Sequence, residues 1–426
     1  MNINPKSTKR LIVHASQLLT LAGGPQRGQS LGQLGIIPDG AVLIADGQIL
    51  AVGETSSLRF LHPDAEIIDA EGHVVMPGFV DPHTHLLWAG DRATEFTMRL
   101  QGKTYMEILE AGGGILSTVK ATREAATEDL IAQTATRAEL AFAYGTTTME
   151  VKTGYGLTYE AELKQLEAIL ALDEKGPLTL VPTFLPAHAV PLEYQGRTDA
   201  YVDLICDEML PALSQWWPLN VVDRPLPFVD VFCEKGAFDL AQSRKILETA
   251  KKLGFPLKIH ADEFVNLGGA ALAAELGAAS ADHLVKTSDM DIQALGKSNT
   301  VAVSLPGTPF GLNESEFTPA QKILDAGGIL ALATDINPGT SWCESMQLMI
   351  ALACRKMGLT PGQAIAAATI NAAAAINRAD QVGSIEVGKD ADLLILSVDD
   401  YRHLGYRFGT NLVATVVKQG RIYPVR

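Results

Sequence analysis

The sequence predicts an α/β protein, a (β/α)8 TIM-type barrel with a small β-sandwich domain built from both termini. Strand-like runs crowd the two ends of the chain, while the middle alternates apolar runs with amphipathic helical stretches. Eight such runs can be read in the middle, the number a closed parallel barrel needs. Histidines and carboxylates collect just after those runs, at the end of a barrel where active sites lie.

At the N-terminal end, Leu11–Val13, Ala41–Ala45, Ile49–Val52 and Ile67–Asp69 read as strands, with Asp46-Gly47 as a hairpin turn. The C-terminus repeats the pattern in Asp392–Leu396, Leu412–Lys418 and Gly420–Tyr423. The expected division is therefore residues 1–76 and 385–426 in the small β domain, with 77–384 as the barrel. The eight barrel runs are Val75–Asp81, Thr146–Val151, Leu178–Thr183, Phe228–Phe232, Pro256–Ile259, Ala279–Asp282, Thr300–Leu305 and Gly328–Ala333. Glu128–Tyr144, Tyr159–Leu172 and Leu240–Leu253 are helical segments between them. Ala364–Ala375 reads as a buried, alanine-rich helix, with Thr360 as N-cap and Pro361 at its first position. Two longer links interrupt the alternation: Leu86–Lys120, with three consecutive glycines at Gly112–Gly114, and Pro191–Pro227, with Trp216-Trp217. The first reads as a glycine loop or a lid over the barrel mouth, the second as a packed insertion or a subunit contact.

Composition narrows the function. A net charge of −15 and a pI near 5.1 argue against nucleic-acid and anionic-membrane partners. Four cysteines without a CxxC pair do not make a disulfide framework and fit a reducing, cytoplasmic setting. No apolar run is long enough to span a bilayer.

The chemistry concentrates at the run ends. The first run leads into His83 and His85, spaced so that an extended chain points both imidazoles to one side. The third leads to His188, the fifth to His260 and Glu263, the sixth to His283, and the eighth to Asp335. Five of the nine histidines thus sit at strand ends, more than packing alone explains. His83, His85, His260 and Asp335 complete a metal site whose imidazole-rich donors suit zinc or iron better than magnesium or calcium. His14, His62, His73 and His403 read as surface or structural.

The stretch Pro77-Gly78-Phe79-Val80-Asp81-Pro82-His83-Thr84-His85 resembles the metal-binding signature of the amidohydrolase superfamily. Further stretches make the chain similar, within it, to the imidazolonepropionase family. These are Glu107–Ile115, Lys152–Leu157, Ala187–Pro191, His260–Phe264, Ala281–Leu284, Leu305–Thr308, and Ala333–Asp335 with Asn337–Thr340. The resemblance implies hydrolysis of a cyclic amide carrying a propanoate arm, with one metal ion per subunit, Zn2+ or Fe2+/Fe3+, in a homodimer. It implies metal ligation by His83, His85, His260 and Asp335, and catalytic roles for Glu263 and His283. It further implies substrate contacts from Arg92, Tyr155, His188, Glu263, Asn337, Gly339 and Thr340, with Tyr105 as an additional candidate. A guanidinium at Arg92 suits a carboxylate. Ile336 and Trp342 depart from the family pattern, which has Phe and Pro there, at the expected pocket rim. The fourth run ends in Phe232-Cys233-Glu234 without a bridging lysine, so one metal is expected, and Lys152 reads as structural or as a pocket charge. A catalytically dead, metal-stabilised binding protein is one competing reading, against which the intact Glu263 and His283 argue, and an aminohydrolase of purine or pyrimidine bases is the other. The aminohydrolase would release ammonia and leave Arg92 without a carboxylate.

Overall fold

The computed structural model describes residues 9–103, 107 and 113–425. Tyr105 and Gly112 lie outside the described residues. Two eight-stranded sheets organise the chain.

The first sheet is built from both termini. Its strands are β1 (Arg10–Leu19), β2 (Ile36–Ala45), β3 (Gln48–Glu54), β4 (Glu66–Asp69), β5 (Val75–Pro77), and the C-terminal trio Leu393–Leu396, Val413–Lys418 and Arg421–Pro424. Hydrogen bonds run from the C-terminal trio through β5 to β1, β2 and β3, so one sheet joins the two ends of the chain. Most pairs are antiparallel, and β4 and β5 lie parallel to β1. One face buries Ile12, Val42, Ile44, Leu393 and Val417, and the other Leu11, Val13, Leu43 and Leu58.

The second sheet is the barrel, with strands β6 (Phe79–Asp81), β7 (Thr146–Lys152), β8 (Thr179–Ala187), β9 (Phe228–Cys233), β10 (Lys258–Ala261), β11 (Ser280–His283), β12 (Val301–Ser304) and β13 (Ile329–Leu332). Every consecutive pair is parallel. The first and last strands meet beyond their ends, where Asp335 N donates to His83 O at 3.1 Å and His85 N to Ile336 O at 2.9 Å.

The run Val75–Asp81 is not one strand. It changes sheets at Gly78, whose amide donates to Asp392 O at 2.9 Å. A Cβ at Gly78 would fall 2.3–2.9 Å from the Thr147 side chain, so the crossing requires glycine. The alanine-rich segment is likewise two short helices, Pro361–Ala367 and Ile370–Ala374, broken at Thr369 with φ −130° and ψ −94°. Thr360 and Gln363 do form a capping box at its start. The small side chains Ala372, Ala373 and Ala375 let the second helix pack under Val80, Val301, Val303 and Ile329 at the barrel floor. In the insertion, Trp217 is buried and Trp216 packs against the main core, so these side chains serve packing. Among the described residues, no helix is long and apolar enough to cross a membrane.

Candidate active site and metal centre

Four donors converge where β6, β10 and β13 end. Nε2 of His85 and of His260 lie 3.2 Å apart, and Asp335 Oδ1 lies 3.6 Å from His83 Nε2 and 3.8 Å from His85 Nε2. Nitrogen and oxygen ligands about 2.0–2.1 Å from a tetrahedral ion stand about 3.3 Å from one another, close to these separations. His83 Nε2 is buried and has no hydrogen-bond partner among the described residues. Burial, reinforced by Lys152 at His83 and by His188 at His85, drives both imidazoles well below the ordinary histidine pKa, toward the neutral form that binds metals. An unpartnered imidazole nitrogen facing two more imidazoles and a carboxylate fits a divalent transition metal.

His83 and His85 do not sit in a strand, since β6 stops at Asp81. The segment is nonetheless held from both sides, by Asp335 N donating to His83 O, by His85 N donating to Ile336 O and by Lys152 N donating to Thr84 O at 2.9 Å. Backbone strain marks the same place. Asp262, His283 and Asp335 adopt φ of +56°, +79° and +51°, in the left-handed region where residues with side chains are rare.

Glu263 and His283 flank the donors, with Glu263 Oε2 3.6 Å from His283 Nε2. Burial, with the Asp335 and Glu234 charges, holds the Glu263 carboxyl well above its usual range, so it carries a proton more readily than an exposed glutamate. Asp335 is pushed up to about 6 by burial, against the Thr308 hydrogen bond. His283 is driven well below the usual value by burial and by His260.

His188 stacks on His85, with centroids 4.5 Å apart and planes 9° from parallel. Its Nδ1 lies 3.0 Å from Gly154 O, and a carbonyl only accepts, so Nδ1 carries the proton and Nε2 is left as an acceptor. Burial drops its pKa to about 3. Tyr155 is buried beside it, with ring centroids 5.4 Å apart.

Arg92 lines a cavity of about 550 Å³ with Phe96, Arg99, Gly339, Thr340 and Trp342. Its Nε donates to Glu95 Oε2 at 2.8 Å, and Glu95 Oε1 accepts the Gly114 amide at 2.9 Å. A Cβ on Gly339 would stand 2.4 Å from Arg92 Nη1, so glycine leaves room for the guanidinium. Asn337 is occupied within its own loop: Oδ1 accepts the Gly339 and Thr340 amides, each at 2.8 Å, and Nδ2 donates to Asp335 O at 2.7 Å. Of the two departures from the family pattern, Ile336 is fully buried rather than at the rim, whereas Trp342 lines the cavity and packs edge-on against Trp88.

Asp230, Asp282, Glu150 and Thr308 fall in stretches read from the sequence but were assigned no role at the site. Asp282 Oδ2 lies 2.6 Å from His83 Nδ1, Asp230 Oδ2 lies 3.0 Å from His260 Nδ1, and Thr308 bonds the Asp335 carboxylate. The available signal was a carboxylate inside an otherwise apolar strand, as in Phe228-Val229-Asp230-Val231.

Residues 66–108 and 232–423 match models of the amidohydrolase family. An imidazolonepropionase of Herpetosiphon aurantiacus is 53% identical over 96% of this chain and 97% of its own length. One from Symbiobacterium thermophilum is 52% identical over 97% of this chain and 96% of its own. An adenosine deaminase from Xanthomonas campestris superposes with a TM-score of 0.70 at 20% identity, covering 98% of this chain and 93% of that one, a likeness of fold. Identity above one half, sustained from end to end, places this chain in the imidazolonepropionase family of the amidohydrolases.

Proposed function

We infer that the protein hydrolyses the imidazolone ring of 4-imidazolone-5-propanoate, giving N-formimidoyl-L-glutamate. This reading is supported by the imidazole-carboxylate donor set with the Glu263–His283 pair beside it, and by the loop after Asp335, whose Gly339 and Thr340 line a cavity together with Arg92.

His83, His85, His260 and Asp335 would hold one metal ion per subunit, zinc or iron, both of which suit these donors. When bound, the ion supplies a Lewis acid and lowers the pKa of water toward neutrality. Arg92 meets the propanoate carboxylate and so fixes which end of the ring faces the donors. Tyr155 and the acceptor Nε2 of His188 close one side of the ring. Glu263 takes a proton from the attacking water and returns it to the ring nitrogen as the amide C–N bond breaks; the hydroxyl stays on the carbonyl carbon. His283, beside Glu263, orients that carboxyl and polarises the carbonyl. Asn337 acts by shaping the Asp335–Thr340 loop, which brings Gly339 and Thr340 to the pocket wall. A homodimer in the cytoplasm completes this reading.

The test is product identification after incubation with freshly generated 4-imidazolone-5-propanoate. N-formimidoyl-L-glutamate without free ammonia supports the assignment. Ammonia release from purine or pyrimidine bases, with the imidazolone untouched, would transfer the site to the aminohydrolases.

A further inference from the structure

Behind the imidazoles lies a fully buried ionic network that the reaction above does not use. Lys152 Nζ stands 2.6 Å from Glu150 Oε1, 2.9 Å from Asp230 Oδ2 and 3.9 Å from Asp282 Oδ2, and all four side chains are at 0% exposure. Each carboxylate leads to a different candidate ligand. Glu150 Oε2 accepts the amide of Thr84, the residue between His83 and His85, at 3.1 Å. Asp230 Oδ2 approaches His260 Nδ1 at 3.0 Å, and Asp282 Oδ2 approaches His83 Nδ1 at 2.6 Å. Lys258 lies 3.5 Å from Asp282 and donates to Pro82 O at 3.1 Å, directly before His83.

Burying an ammonium among carboxylates costs desolvation energy that well-packed apolar side chains would not incur. Such a cluster therefore adds little as packing, but it fixes geometry. A carboxylate at Nδ1 sets the imidazole tautomer and ring angle and leaves Nε2 free as a donor. Three carboxylates in one buried cluster repel one another unless cations sit among them; Lys152 is within 3.9 Å of all three, and Lys258 shares Asp282.

We propose that Lys152 is a positioning residue of the metal centre, its ammonium holding Glu150, Asp230 and Asp282 in place and, through them, Nε2 of His83, His85 and His260. This rests on the reading that these imidazoles bind a metal. Tethering one strand-end cation to three carboxylates gives Lys152 a role different from a bridging ligand, since its nitrogen points at carboxylates and not at the donor cluster.

Cobalt(II) binding to the chelator-stripped full chain tests it, with affinity measured by competition against a metal-binding dye and coordination read from the visible spectrum. Lys152→Met should bind cobalt about 10- to 100-fold more weakly than wild type and shift its absorption bands. Lys418→Met, which removes the buried Lys418–Asp392 pair (2.6 Å) in the terminal sheet, should lower thermal stability and leave both cobalt readouts unchanged. Unchanged affinity and spectrum in Lys152→Met, or equal losses in Lys418→Met, would overturn the proposal. Should Lys152→Met not fold, Lys152→Gln, which keeps a hydrogen-bond donor but removes the charge, takes its place. Weakened cobalt binding there supports the proposal, and unchanged binding overturns it. A wild type that binds no cobalt defeats the metal reading itself, an outcome distinct from the variants' failure.

Discussion

Glu263 Oε2 lies 3.6 Å from His283 Nε2, with side chains only 10% and 4% exposed, beside the imidazole-carboxylate cluster. Burial raises the Glu263 carboxyl well above the ordinary glutamate range, which makes its carboxylate a stronger base than an exposed one, as proton transfer to and from water requires. Glu263→Gln should therefore lower kcat by about 10²- to 10⁴-fold while the metal content, measured by inductively coupled plasma mass spectrometry, stays at the wild-type level. Loss of metal together with activity would instead make Glu263 part of the ion's shell.

Arg92 is assigned to the propanoate arm. Arg92→Lys keeps the charge but loses the planar fork that matches a carboxylate. KM should rise about 10- to 100-fold, the size of one lost charge-assisted hydrogen bond, with a smaller fall in kcat. Steady-state kinetics separates the two. An unchanged KM would move the carboxylate elsewhere in the cavity, where Arg99 is the neighbouring cation.

Gly78 carries the crossing from the terminal sheet to the barrel. Gly78→Ala places a Cβ against Thr147 and should cost about 1–3 kcal/mol, read as a lowered midpoint in chemical denaturation. The same substitution at Gly72, where a Cβ meets nothing within 4 Å, acts only through its φ of +77° and serves as the comparison.

All four cysteines are free, and burial raises every one of their thiols, Cys233 and Cys343 to about 11. Thiolate is the reactive form, so a disulfide reagent at pH 8 should leave the native protein largely unmodified and titrate four thiols once it is unfolded. Fast native labelling of Cys343, the cysteine nearest the candidate site in sequence, would contradict the raised thiol that burial gives it.

Much of the fold was legible because its signals are periodic and local. Asp46-Gly47 marks a hairpin between strands that do pair, and the eight apolar runs of the middle each overlap a barrel strand, several of which run on past the end read from the sequence. The breaks at Gly78 and Thr369 were not legible. Both depend on what packs across them, Thr147 in one case and the barrel floor in the other, and neither contact leaves a mark in its own stretch of chain. At the site, histidines stand out because they are scarce. Glu150, Asp230 and Asp282 looked like ordinary charges in strands, because the direction of a barrel side chain, inward or outward, follows from the closed sheet and not from spacing alone.

Metal removal bears on stability as well as turnover. An ion that binds only the folded chain stabilises it by about 2.7 kcal/mol at a hundred times its Kd, so chelation should lower Tm and restored metal should raise it again.

The most direct measurement follows the ultraviolet absorbance of 4-imidazolone-5-propanoate with the protein as purified, after chelation, and after zinc or iron is restored. Decay well above the spontaneous background that is lost on chelation and recovered with metal is the expected result. Equal decay in all three samples, or none above background in a protein that retains its metal, would contradict metal-dependent opening of this ring.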